Sequence, residues 1–163
     1  MFQLKHLTKE AIPAALEKAQ RYRLLNEPGE AESICLDILG TDHDNQEALV
    51  ILLLALTDRF GRGYSVGTID PRDVLTRLHD PYERAYYGGI IHERKAKARL
   101  HGGFNHDAYE HLREAMTSYE QAESLSPPGN PDAALRWNAC ARMITSNRLE
   151  PRTAEERNGV ETD

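Results

Sequence analysis

EAESICLDILGTDHDNQEALVILLLALTDRF, residues 30–60, contains two apolar helical stripes divided by one polar loop. Ile34, Cys35, Ile38 and Leu39 follow Ala31 by 3, 4, 7 and 8 positions, which puts all five on one face of an α-helix. Gly40 marks the end of that helix. The polar run from Thr41 to Asn45 can cap the next one, because Asp and Asn oxygens accept the unpaired N–H groups of a first helical turn. That next helix covers residues 46–60 and is apolar on every side from 48 to 56. A helix of this kind is covered by neighbours on both faces. The pair therefore needs further helices around it.

Upstream, Ile12, Ala15, Leu16, Ala19 and Tyr22 form another helical face, stopped at Asn26-Glu27-Pro28-Gly29. Downstream, the glycine-rich residues 61–67 read as a flexible connector, and Pro71 opens a short helix over 72–78. A long helix covers 81–100, with Ala85, Gly89, His92, Ala96 and Leu100 on one face, and Gly102-Gly103 ends it. Asp107 is the expected cap of a helix over 108–125 that turns Ala108, Leu112, Ala115, Tyr119 and Ala122 inward. After a proline-rich turn, Asp132 is the expected cap of a last helix over 133–146, burying Trp137, Cys140 and Ile144 and facing Arg136, Asn138 and Arg142 outward. No segment alternates with period two, so the predicted fold is all-α with about seven helices. Residues 1–149 make one helical domain, and 150–163 a polar, flexible tail.

The helices come in pairs that recur at about 34 residues: Ile12 opens one unit, Gln46 the next, and Tyr82 a third two residues late. Ala19, Tyr22, Ala31 and Ile38 in the first unit, and Ala115, Tyr119, Ala122 and Pro127 in the third, resemble the tetratricopeptide repeat (TPR) family. Gly88-Gly89 stands where that family prefers Leu-Gly. The second unit departs most, since its short second helix around Val74 lacks the family's alanine. The resemblance covers roughly residues 10–146. It implies a short, bacterial-type α-solenoid of helix–turn–helix repeats with the last helix as a cap, each unit hiding the small-residue seam of the one before.

Composition agrees with a globular chain: 163 residues, 40% hydrophobic and 28% charged, with net charge −6. The acidic balance argues against general nucleic-acid binding, which needs a basic face against phosphates. The longest apolar run is far too short to cross a membrane, and residues 1–10 lack the apolar block of a signal peptide. Cys35 and Cys140 read as two buried free thiols, so a cytoplasmic location is expected. Charge is uneven: residues 1–60 carry −4, 61–105 carry +3 and 106–163 carry −5. Arg94, Lys95, Lys97 and Arg99 make the basic middle, suited to steering an acidic partner segment.

Little in the chain points to chemistry. His101, His106 and His111 are five apart, a spacing that does not share a helical face, and the helical His-Glu-x-x-His zinc pattern is absent. Neither Gly61-Arg62-Gly63 nor any Ser or Cys sits in a phosphate-loop or nucleophile motif. No catalytic residue, metal or cofactor is therefore assigned. His92, on the inward stripe, is expected to be packed and hydrogen-bonded, with a ligand role as the alternative.

The resemblance implies a concave groove lined by the first helix of each pair, in which a segment of another protein lies. Carried over position by position, the groove residues are Gln20 and Arg23 in unit one, Glu47, Thr57 and Asp58 in unit two, and Tyr86, Glu93 and Arg94 in unit three. Leu24, Val50, Leu54 and Ile90 are apolar neighbours on the same lines. The carboxylate clamp of chaperone-binding members is missing, since Leu16, Gln20 and Ile51 stand at its positions. The function expected on this basis is a non-catalytic protein–protein adaptor. The alternatives are a self-associating structural protein, such as a homodimer, and a His-dependent metal- or small-molecule-binding protein.

Overall fold

A computed structural model describes residues 1–62 and 69–159. Among these residues all the regular structure is helical, without strands. A 3-10 turn at Lys9–Ala11 leads into α1 (Ile12–Leu24), α2 (Pro28–Thr41), α3 (Gln46–Thr57), α4 (Pro71–Thr76), α5 (Pro81–His101), α6 (Asn105–Leu125), α7 (Asp132–Ser146) and α8 (Ala154–Asn158). No helix of the described residues is long and apolar enough to cross a membrane. Of the expected connector, residues 61–67, positions 63–67 lie outside the described residues.

The helix starts follow local chemistry. Asn45 Oδ1 accepts from Ala48 N, Asp70 Oδ1 from Arg72 N, and Asp80 Oδ1 from Tyr82 N, each at 2.9 Å. Proline occupies the first turn of α1, α2, α4 and α5, where its missing N–H costs no hydrogen bond.

From α1 to α7 each helix packs on its neighbours in the chain, and α3 also touches both α1 and α5. Two apolar cores result. The first joins α1 to α4 and includes Ile91 of α5. The second joins α5, α6 and α7 around Tyr119, Leu112, Ala96 and Cys140. Leu54 and Tyr87 pack against both. The predicted seam residues Ala19, Ala31, Cys35, Ile38, Ala108, Ala115, Tyr119 and Ala122 are all fully buried. Gly89 is the closest approach in the second core: a Cβ there would lie 2.5 Å from Tyr119 Cε1, so only glycine lets α6 sit so near α5.

Several expectations need correction. Helix α2 continues through Gly40 to Thr41, because an isolated glycine is tolerated where the helix is held by packing. Helix α3 ends at Thr57 rather than Phe60. Helix α6 begins at Asn105, so Asp107 is inside the first turn and pairs with Arg152 instead of capping. Helix α7 starts at Asp132 itself, and its N–H is taken by Asn130 Oδ1 at 3.0 Å. Trp137 and Ile144 are only partly buried, and Trp137 Nε1 donates to Glu120 at 2.9 Å.

Up to residue 159, the polar segment expected to be a flexible tail carries the short α8 and touches α6. Thr153 and Glu156 form a reciprocal capping box for α8, and Arg152 pairs with Asp107 and Glu110 of α6. Leu149 is 5% exposed in the second core, and His106 Nδ1 lies 3.0 Å from the Glu150 carbonyl.

Candidate functional site

Four of the eight predicted groove residues meet at one point. Arg23 extends from the end of α1, and its Nε lies 3.0 Å from Asp58 Oδ2. Asp58 follows α3 directly. Its other oxygen, Oδ1, accepts from Arg94 Nη1 of α5 at 2.6 Å. The same nitrogen is 2.9 Å from the Leu54 carbonyl and 2.7 Å from Thr57 Oγ1. Thr57 is 2% exposed and gives its own proton to the Leu54 carbonyl at 3.0 Å. Thr57 therefore holds Arg94 in place and offers nothing to a visitor. Burial pulls the Arg94 guanidinium below its ordinary value, and Asp58 opposes that pull.

One residue earlier in α5, Glu93 is 1% exposed, so it is not the solvent-facing handle expected of it. Its Oε2 accepts from Tyr119 Oη at 2.6 Å, and its Oε1 from Lys97 Nζ at 2.7 Å. Arg136 of α7, expected to face outward on the cap, instead turns in and brings Nε to 3.3 Å from Glu93 Oε2. A buried carboxylate needs such partners, because leaving it unpaired costs several kcal/mol, on the order of 3–5. Burial pushes the Tyr119 hydroxyl up, and the charge of Glu93 pushes it further. The Nε atoms of Arg23 and Arg136 are buried and lie near a carboxylate without the alignment of a hydrogen bond. Four cationic side chains, Arg23, Arg94, Lys97 and Arg136, thus gather about two carboxylates, Asp58 and Glu93.

The remaining groove candidates lie apart from this node. Gln20 and Glu47 are exposed and line a shallow depression with Pro13, Leu16 and Leu24. Tyr86 is half-buried, stacked on Tyr82 with ring centres 5.8 Å apart and tilted against Tyr119 at the same distance.

His92 is not on the buried stripe. It lies at the edge between α5 and α6, where its Nδ1 is 3.4 Å from Nδ1 of His111. Glu93 takes the inward position because successive residues on a helix are rotated by about 100°. Burial, then the neighbouring His111, lowers the His92 pKa; burial, then Lys95, lowers that of His111. Among the described residues no group of three or more His, Cys, Asp or Glu side chains could hold a metal ion.

Glu93, Arg136 and His111 are the residues that sequence reasoning placed wrongly or passed over. Apart from Lys97, four residues on from Glu93 in α5, their partners lie on other helices. No family model matches the chain, and no curated protein or solved structure is significantly similar to it.

Proposed function

We propose that this protein is a non-catalytic interaction module, a short TPR-like solenoid that holds an acidic segment of a partner protein across α1, α3 and α5. The Arg23–Asp58–Arg94 chain carries this reading, since it ties together the three helices that the repeat resemblance assigns to the groove. The solenoid itself is supported by contacts at the repeat period. Thr41 Oγ1 bonds the Leu7 carbonyl and Arg77 the His43 carbonyl, both 34 residues away, while Arg62 bonds Asn26 and Arg94 bonds Asp58, both at 36. Equivalent positions of successive units that touch in this way are what stacked repeats produce. The surplus of cations on this face of an acidic chain favours an acidic segment over a basic one.

The test is site-specific photocrosslinking in native cells, with the crosslinker at Gln20, Tyr86 or Arg62, and at exposed Asp37 on α2 as the control. The reading expects one partner at the first three positions, through an acidic stretch whose synthetic peptide binds more weakly as salt rises and loses affinity on Arg23→Gln. Equal capture at Asp37, or a peptide insensitive to both salt and Arg23→Gln, refutes it.

A second reading, self-association, is favoured by the exposed apolar side chains of the first 25 residues: Met1, Phe2, Leu4, Leu24 and Leu25. Light scattering across a concentration series separates a dimer from a monomeric adaptor.

A further inference from the structure

Beside the polar node, the turn after α3 and the last two turns of α5 form an open pocket of about 360 Å³. Arg62, Arg94, Lys97 and His101 line it together with Asp58 and Thr57. Its donors are held in place but not used up. Arg62 is fixed by one bond, Nη1 to Asn26 Oδ1 at 2.9 Å. Arg94 uses only Nη1 on the protein, and Lys97 spends one of its three N–H groups on Glu93. Among the described residues, Arg94 Nε and Nη2 and both His101 ring nitrogens have no hydrogen-bond partner. Arg62, Arg94 and Lys97 bring three positive charges to the wall, and Asp58 brings one negative charge. Asp58 is also shared with Arg23, and Glu93 below Lys97 is shared with Arg136, so neither carboxylate cancels the surplus.

We propose that this pocket binds a phosphate monoester group. A single carboxylate carries one charge and two acceptor atoms. A phosphate monoester carries about −1.5 to −2 at neutral pH and three acceptor oxygens. That charge matches the surplus at the wall, and planar guanidinium forks suit phosphate oxygens. The pocket is larger than the group itself, which leaves room for the carbon atoms that bear it. The pocket shares Thr57, Asp58 and Arg94 with the groove but needs no protein segment lying there, so the groove reading can fail while the pocket stands.

The experiment titrates inorganic phosphate into the full chain at constant ionic strength, followed by NMR of the backbone amides and arginine side chains. The expected result is a saturable shift confined to Arg62, Arg94, Lys97 and His101, with acetate binding at least about tenfold more weakly. Arg62→Gln, whose one side-chain bond among the described residues is to Asn26, is expected to weaken phosphate about tenfold, and Arg72→Gln at an exposed position of α4 to leave it within about twofold. Lys97→Gln is checked for folding by circular dichroism, because it removes a partner of buried Glu93. Shifts that stay linear in phosphate, equal acetate and phosphate, or no change on Arg62→Gln overturn the proposal. Parallel titrations with phenyl phosphate and with a phosphoserine peptide identify the source: the tighter of the two shows whether the group arrives on a small molecule or on a chain.

Discussion

Removing one oxygen atom tests the buried centre of the second core. Tyr119→Phe keeps the ring that packs on Gly89 and deletes only the hydroxyl that donates to Glu93 at 2.6 Å. Tyr119 is fully buried and Glu93 is 1% exposed, so water does not replace the lost donor. Hydrogen bonds to charged groups contribute about 1.5–3 kcal/mol. The upper part of that range applies, because Arg136 Nε, 3.3 Å from the same oxygen, is not aligned to take over. The expected loss is about 2–3 kcal/mol, a fall in melting temperature of roughly 4–12 °C for a chain of this size. Urea denaturation should move in midpoint with an unchanged slope, since the buried surface is the same. In a double-mutant cycle, Glu93→Gln and Tyr119→Phe should couple by at least about 1 kcal/mol. A loss below about 0.5 kcal/mol, or strict additivity, would show that the bond does not hold this core.

Three further outcomes are expected. Gly89→Ala should cost about 2–4 kcal/mol by driving the Tyr119 ring off Glu93, whereas Gly88→Ala, whose Cβ would meet only Leu75 at an ordinary 3.6 Å, should be neutral or stabilising; denaturant midpoints of the two variants check this. The lowered pKa values of His92 and His111 mean that the folded state resists their protonation, so this contribution is complete above the ordinary 6.5 and declines as pH falls below it; melting temperatures from pH 7.5 to 5 should drop less steeply in His92→Gln. Cys35 and Cys140 are fully buried with thiols pushed up to about 12, so a thiol reagent at pH 8 should label both only after denaturant is added.

The helical architecture was legible because it is periodic. Apolar steps of three and four, broken at Pro28, Pro71, Pro81 and the Gly102-Gly103 pair, located seven helices and most of their buried faces. Helix starts were less legible where the capping group was not the nearest aspartate: Asp107 and Asp132 look like caps, yet each lies inside its helix. The short α8 did have a signal, Thr153 followed three residues later by Glu156, which the absence of any apolar period outweighed. Of the site, Arg23, Thr57, Asp58 and Arg94 were named from the family resemblance, and the structure brings these four together. The burial of Glu93 did not. A glutamate facing water and one enclosed by Tyr119, Lys97 and Arg136 are the same letter, and two of those partners belong to other helices.

Helix α5 gives Ile91 to one core and Ala85, Ile90 and Ala96 to the other. It is a party wall between two rooms. Any tilt of it is felt on both sides together, because Leu54 and Tyr87 lean on each side at once. A force applied at the Arg94 edge is therefore delivered to the Gly89–Tyr119 joint by the stiffness of one helix, with no relay of intermediate side chains.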